Sequence, residues 1–228
     1  MNILETPKDI VSLLKLTLSH YYGSIMFLNN FMSGLSAPSL QDARFVLSSR
    51  FPLLYLSRVI DDVREEFRSV SVTFKIGYFR LLSSTHLGKL DRFEPSLRFN
   101  VNLYPDSINS TPSTKLALAE ELALFFPSPK IAGWRHVSSL CKFLRQFRSV
   151  RVLRVDPFMR EVGLSLQQDD GGSILPVLEE IEVSISPLTK NSDEYERHAA
   201  KALAAFQPFV SARKRAGRLV KVTIVSGC

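Results

Sequence analysis

The densest group of side chains able to do chemistry is Asp61-Asp62-Val63-Arg64-Glu65-Glu66. Paired carboxylates could hold Mg²⁺ for diphosphate chemistry, but only with a second acidic motif on a facing helix to complete the oxygen ligand set. No convincing second acidic motif occurs in the chain. On one helix, Arg58 and Asp62, and Asp61 and Glu65, are four residues apart, which is the pattern of a solvated charged face. His20, His86, His136 and His198 are scattered without ligand spacing. No nucleophile elbow, P-loop, dinucleotide glycine fingerprint or zinc-protease helix is present. The expectation is a non-enzymatic chain with no cofactor, no metal and no small-molecule ligand.

Two basic runs remain. Lys142, Arg145, Arg148, Arg151 and Arg154 span the end of an amphipathic stretch and the strand after it. Helix and strand positions point to different faces, so these five do not converge on one phosphate. Arg154 is placed to pair with Glu182 one strand over. Arg213, Lys214, Arg215, Arg218 and Lys221 form the second run, at a helix end where cations complement the dipole. Together, 142–154 and 213–221 would be the contact surface if the partner were nucleic acid. The formal charge of +7 permits an acidic partner without requiring one.

These groups must be positioned by strands that recur about every 28 residues. Phe67-Arg68-Ser69-Val70 returns letter for letter as Phe147-Arg148-Ser149-Val150. Alternating apolar and polar residues predict strands near Leu13–Leu18, Asp42–Leu47, Val70–Ile76, Leu97–Leu103, Glu121–Phe126, Val150–Val155, Glu180–Ile185 and Leu219–Val225. Helical spacing predicts helices opening at Pro52, over Trp134–Phe147 and over Met159–Leu166. A further helical segment covers 192–216, with Ser192 as its N-cap and a kink or restart at Pro208. Residues 104–114 are rich in Ser, Asn, Asp and Pro and predict a long loop.

Strand, helix, strand implies parallel pairing. A sheet buried on both faces would carry near-continuous apolar strands. Here Lys15, Arg44, Arg154, Glu182 and Lys221 occupy alternate positions, so one sheet face should be wet. The expected fold is α/β: a single domain over 1–228, an irregular leucine-rich-repeat-like solenoid of about eight strand units. Its open curved parallel sheet would carry the helices on the convex side. The concave face would then present Lys15, Thr17, Arg44, Val46, Val152, Arg154, Asp156, Glu182 and Ser184 to a protein partner.

The strand phrases Leu13-x-x-Leu16-x-Leu18, Val150-x-x-Leu153-x-Val155 and Leu178-x-x-Ile181-x-Val183 resemble the core of leucine-rich repeats. The closing phrase Phe206-x-x-Phe209-Val210-x-Ala212-Arg213-x-x-Ala216-Gly217-Arg218-x-Val220-x-Val222 resembles the C-terminal half of the F-box/leucine-rich-repeat-like families of mushroom-forming fungi. In those families an F-box recruits a ubiquitin-ligase core and the repeats present a substrate. No F-box motif precedes the repeats here, so the resemblance implies the substrate-recognition part alone. The first strand begins abruptly at Leu13, which suggests a segment upstream.

Two cysteines exclude a disulfide framework. Cys141 has the spacing of a core residue, and Cys228 is the last residue. Glu5 and Asp9 stand where a signal peptide would want basic residues, and no apolar run approaches a membrane span. The expected location is cytoplasmic or nuclear.

Overall fold

The computed structural model describes residues 15–21, 38, 42–47, 60–64, 66–75, 78–87, 97–101, 113–125, 137–155, 160–168, 172–185 and 192–226. Nine strands form one sheet: β1 Lys15–Tyr21, β2 Asp42–Leu47, β3 Ser69–Lys75, β4 Tyr78–Ser84, β5 Leu97–Val101, β6 Glu121–Phe125, β7 Val152–Val155, β8 Glu180–Ile185 and β9 Lys221–Ser226. Among the described residues four complete helices accompany them, α1 Thr114–Leu118, α2 Val137–Leu144, α3 Arg160–Gln167 and α4 Ser192–Arg215, and residues 60–62 are also helical. The fold is α/β with an open, mostly parallel sheet. The eight strands expected from alternation are all present, with ends shifted by at most three residues.

The ninth strand, β4, corrects the all-parallel expectation. It runs antiparallel to both β3 and β5, and the strand order is β1-β2-β5-β4-β3-β6-β7-β8-β9. Lys75 lies opposite Tyr78, which leaves two residues for the connection. That is the length of a tight hairpin and far too short for a parallel crossover. Leu81-Leu82-Ser83-Ser84 breaks clean alternation, which hid the strand. Ser83 nevertheless lies on the apolar side opposite Val70, fully buried, with no hydrogen-bond partner for its hydroxyl among the described residues.

The core is built from two continuous rows. Val70, Leu122, Leu153, Ile181 and Val222 are register partners from β3 through β9. Val72, Leu124, Val155, Val183 and Ile224 form the next row. Leu140, Phe143, Leu144 and Phe147 from the α2 region, Val162 and Leu166 from α3, and Phe206 and Phe209 from α4 close over them in one cluster. Each helix contributes apolar residues three or four apart, the spacing that puts them on one face. Both copies of the repeated phrase bury their Phe and Val: Phe67 and Val70, Phe147 and Val150. Cys141 is buried as its spacing indicated.

Where α3 meets α4, a Cβ on Gly163 would come within 2.6 Å of the Ala205 carbonyl oxygen. Only glycine permits that approach. Gln167 donates from Nε2 to the same carbonyl at 3.1 Å. The restart expected at Pro208 does not occur, and α4 continues through it. Pro208 is exposed, so the Ala204 carbonyl that loses its helical donor is not sealed inside the core.

The acidic run is likewise structural. Asp61 Oδ1 accepts hydrogen bonds from Ser113 Oγ (2.7 Å), Thr114 Oγ1 (3.0 Å) and the Lys115 N–H (3.0 Å). Ser113 Oγ in turn accepts from the Leu116 N–H as the N-cap of α1. Asp61 therefore fastens the start of α1 rather than lying on a solvated face. Of the expected loop 104–114, residues 104–112 lie outside the described residues, and Thr114 begins α1. Trp134 also lies outside them.

Candidate binding face

Strand alternation sends every second residue to the sheet face opposite the core rows. Register then determines which of them are neighbours. One row on that face runs Lys15, Asp42, Arg98, Leu82, Ser71, Ala123, Arg154, Glu182, Thr223 across all nine strands. The next runs Thr17, Arg44, Asn100, Arg80, Thr73, Phe125. Lys75 pairs with Tyr78 beyond it. Among the described residues no helix belongs to this face.

The β6–β9 half is locked internally. Arg154 Nη1 donates to Glu121 Oε2 at 2.7 Å, and its Nε donates to Glu182 Oε2 at 2.6 Å. One guanidinium thus bridges three adjacent strands. The three side chains are 16%, 11% and 22% exposed, respectively. Burial by itself would lower the Arg154 pKa, but the hydrogen bonds and charges of Glu121 and Glu182 outweigh it and hold the guanidinium above the ordinary value. Arg154 was expected on this face and is there, and its pairing with Glu182 is as the sequence indicated. Its charge is engaged in holding the strands.

Glu180 makes a second lock. Thr223 Oγ1 donates to its Oε1 at 2.6 Å, and Lys221 Nζ lies 3.1 Å from the same oxygen. The Thr223 hydrogen bond first, and Lys221 second, hold the Glu180 carboxyl below the usual carboxylate range. A carboxylate depressed in the folded state stabilises the protein above its unfolded pKa, and that contribution is lost as pH falls through the folded one. Urea stability should therefore begin to fall below about pH 4.3, the ordinary glutamate value. Glu180→Gln should shallow that acid limb in a urea titration repeated at several pH values.

A third ladder marks the strand starts. Arg68 carbonyl accepts from the Glu120 and Glu121 N–H groups, Glu120 carbonyl from Arg151 and Val152, Arg151 carbonyl from Glu179 and Glu180, and Glu179 carbonyl from Lys221. The side chains along it alternate in sign. Arg68 Nε sits 2.8 Å from Glu120, and Arg151 is 3.9 Å from Glu179. Lys142, Arg145, Arg148 and Arg151 are exposed, whereas Arg154 is held between Glu121 and Glu182, so the five residues of the 142–154 run do not act as one set.

The tail cluster is dissolved in another way. Arg213 is 5% exposed. Its Nη2 donates to the Ile174 carbonyl at 2.7 Å and the Leu175 carbonyl at 3.4 Å, while Nη1 donates to the Pro176 carbonyl at 3.4 Å. Its guanidinium lies 5.0 Å from the Phe209 ring centroid. Arg218 Nη1 reaches the same Pro176 carbonyl at 3.1 Å. Leu175 has φ 47°, a left-handed conformation uncommon for leucine, so its turn is one that benefits from such clamps. With Lys221 drawn to Glu180, only Lys214 and Arg215 of the expected patch remain exposed without a role in these clamps. The patch expectation is corrected at Arg213, which is buried because the carbonyls at 174–176 take its donors, while Lys214, Arg215, Arg218 and Lys221 are exposed.

The tail phrase has a mechanical reading. Arg218 N–H donates to the Arg213 carbonyl at 2.9 Å and Gly217 N–H to the Lys214 carbonyl at 3.0 Å. With Gly217 at φ 75°, this is a Schellman cap ending α4. Arg213, Gly217 and Arg218 are thus packing and capping residues.

Of the other expected face residues, Lys15 and Thr17 on β1 and Arg44 on β2 fall into the two rows, and Val46 lies on β2. Val152 sits between Glu121 and Glu180, and Ser184 pairs with Val225. Val152, Glu182 and Ser184 are half-buried, not fully wet. Asp156 lies outside the described residues. Sequence reasoning missed Arg98, Asn100, Arg80, Tyr78 and Lys75. The alternation of 97–101 exposed the first two as polar positions, but nothing local placed β5 beside β2.

Among the described residues no group of three or more His, Cys, Asp or Glu could hold a metal ion, and no helix is long and apolar enough to cross a membrane. Comparison with protein-family models, with curated proteins and with solved structures finds no match to this chain.

Proposed function

We propose that this chain is a non-enzymatic protein-interaction scaffold that holds an acidic segment of a partner protein on its open sheet face. The observation that carries this reading is the strand order. It brings Lys15 of β1, Arg44 of β2, Arg98 of β5, Arg80 of β4 and Lys75 of β3 onto one face, with Asp42 as the only acidic residue in those rows of β1–β5. Arg80 is exposed, and Thr17, Asn100 and Thr73 hold the register positions between the cations. Guanidinium groups spaced one or two strands apart suit a run of carboxylates. The acidic groups of the other half, Glu121, Glu180 and Glu182, are already occupied by Arg154, Lys221 and Thr223.

The sequential parallel run β6-β7-β8-β9, with α2, α3 and α4 on one side, favours a short irregular leucine-rich-repeat-like solenoid for that half. The resemblance to F-box/leucine-rich-repeat families would make the face a substrate-recognition surface of a ubiquitin-ligase adaptor, working in the cytoplasm or nucleus. Fluorescence anisotropy with labelled poly-L-glutamate tests the reading. Arg80→Glu with Arg98→Glu should weaken binding at least tenfold, and Lys214→Glu with Arg215→Glu should not. No binding by the wild type, or equal loss in both variants, would sink it. Tighter binding of polyuridylate with a steep salt dependence would instead favour nucleic acid as the partner.

A further inference from the structure

We infer that β9 is a dimerisation edge, pairing antiparallel with β9 of a second copy of this chain about a two-fold axis. β9 ends the sheet, and among the described residues no strand pairs with its outer side. The Lys221 N–H donates inward to the Glu179 carbonyl at 2.8 Å. Parallel pairing alternates, so the backbone groups of Val222, Ile224 and Ser226 face outward. A row of such groups on a β-branched strand is a template for another strand.

Edges are ordinarily guarded by an outward lysine. Here Lys221 is exposed but its Nζ lies 3.1 Å from Glu180 on β8, which partners its charge. Thr223 is drawn the same way by its 2.6 Å hydrogen bond. The helix layer also stops short. Leu153 and Ile181 are 0% exposed, whereas their row partner Val222 and its neighbour Ile224 are only partly buried. Leu219, just before the strand, is 78% exposed.

The edge is complementary to itself in one register in particular. With Thr223 on the axis opposite its own copy, Val222 faces the partner's Ile224 and Lys221 faces the partner's Val225. Core-face residues then meet core-face residues, as the pleat requires. The two Lys221 side chains are four residues apart along the strand, about 13 Å, so no like charges oppose each other. A second copy therefore completes both the hydrogen-bond row and the apolar row.

Sedimentation equilibrium from low micromolar to several hundred micromolar tests this. The wild type should move from 25.7 kDa towards twice that mass as concentration rises. Val222→Pro removes an outward donor and leaves the inward ladder intact while trimming a partly buried core-row side chain, so it should stay monomeric and still unfold cooperatively, at a lower midpoint. Val225→Lys, opposite the partner's Lys221, should weaken the dimer about tenfold, and Val225→Glu should strengthen it by a similar factor. A constant 25.7 kDa across the range would overturn the inference, as would a Val222→Pro dimer or a shift of both Val225 variants in the same direction.

Discussion

Arg154→Ala is expected to destabilise the protein by about 3 kcal/mol in urea unfolding, the lower end for breaking a buried ion pair. The change removes the only described cation between Glu121 and Glu182, whose side chains are 11% and 22% exposed. Two carboxylates are left facing each other across β7 with their desolvation cost still present. Arg154→Glu should be worse, because a third carboxylate joins them. A variant with Glu121→Gln, Arg154→Met and Glu182→Gln together should recover most of the loss, since removing every charge also removes the cost of burying one. Arg151→Ala three residues earlier is the control. Its side chain is 62% exposed and 3.9 Å from Glu179, so it should change stability by less than about 1 kcal/mol. Equal effects of Arg154→Ala and Arg151→Ala would refute the three-strand clamp.

Arg213→Ala should cost about 3 kcal/mol, while Lys214→Ala next to it should stay within about 0.5 kcal/mol. Sequence alone treats these two as members of one basic patch. In the fold, Arg213 is buried and donates to three consecutive carbonyls at 174–176, whereas Lys214 is exposed. Truncating Arg213 strands those acceptors beneath α4. Arg213→Lys should rescue only part of the loss, because a single ammonium cannot reproduce the planar fork that spans the turn. Full recovery with lysine, measured by the same unfolding midpoint, would show that charge rather than hydrogen-bond geometry is what the turn requires.

Much of the fold was legible in the chain because the signals were local. β8 alternates throughout and β7 over Leu153–Val155, so local residues indicated that Leu153 and Ile181 would be buried and that Arg154 and Glu182 would lie on the other face. The helices over 137–144 and 160–167 followed from apolar spacing in the same way. The Arg154–Glu182 pair was accessible because β7 and β8 are adjacent in both sequence and space. Arg213 was misassigned because composition shows that a residue is basic, not whether a neighbouring turn has carbonyls in need of a donor. Asp61 was misjudged on the same ground, since it finds its partners 52 to 54 residues away at the start of α1, while Arg64 and Glu66 are exposed as a solvated face requires.

The alternation of the strands and the apolar spacing of the helices were thus determined by sequence alone. Which polar side chains become neighbours was decided only by the strand order β1-β2-β5-β4-β3-β6-β7-β8-β9. Alternation is set within five or six residues by the pleat, and it survives whatever partner a strand finds. Strand order depends on burying all the apolar rows at once with connections of the available lengths, and no short stretch of sequence carries that information. The two residues between β3 and β4 forced a hairpin, the hairpin reversed the order of three strands, and Arg44, Arg98 and Arg80 came to share a face.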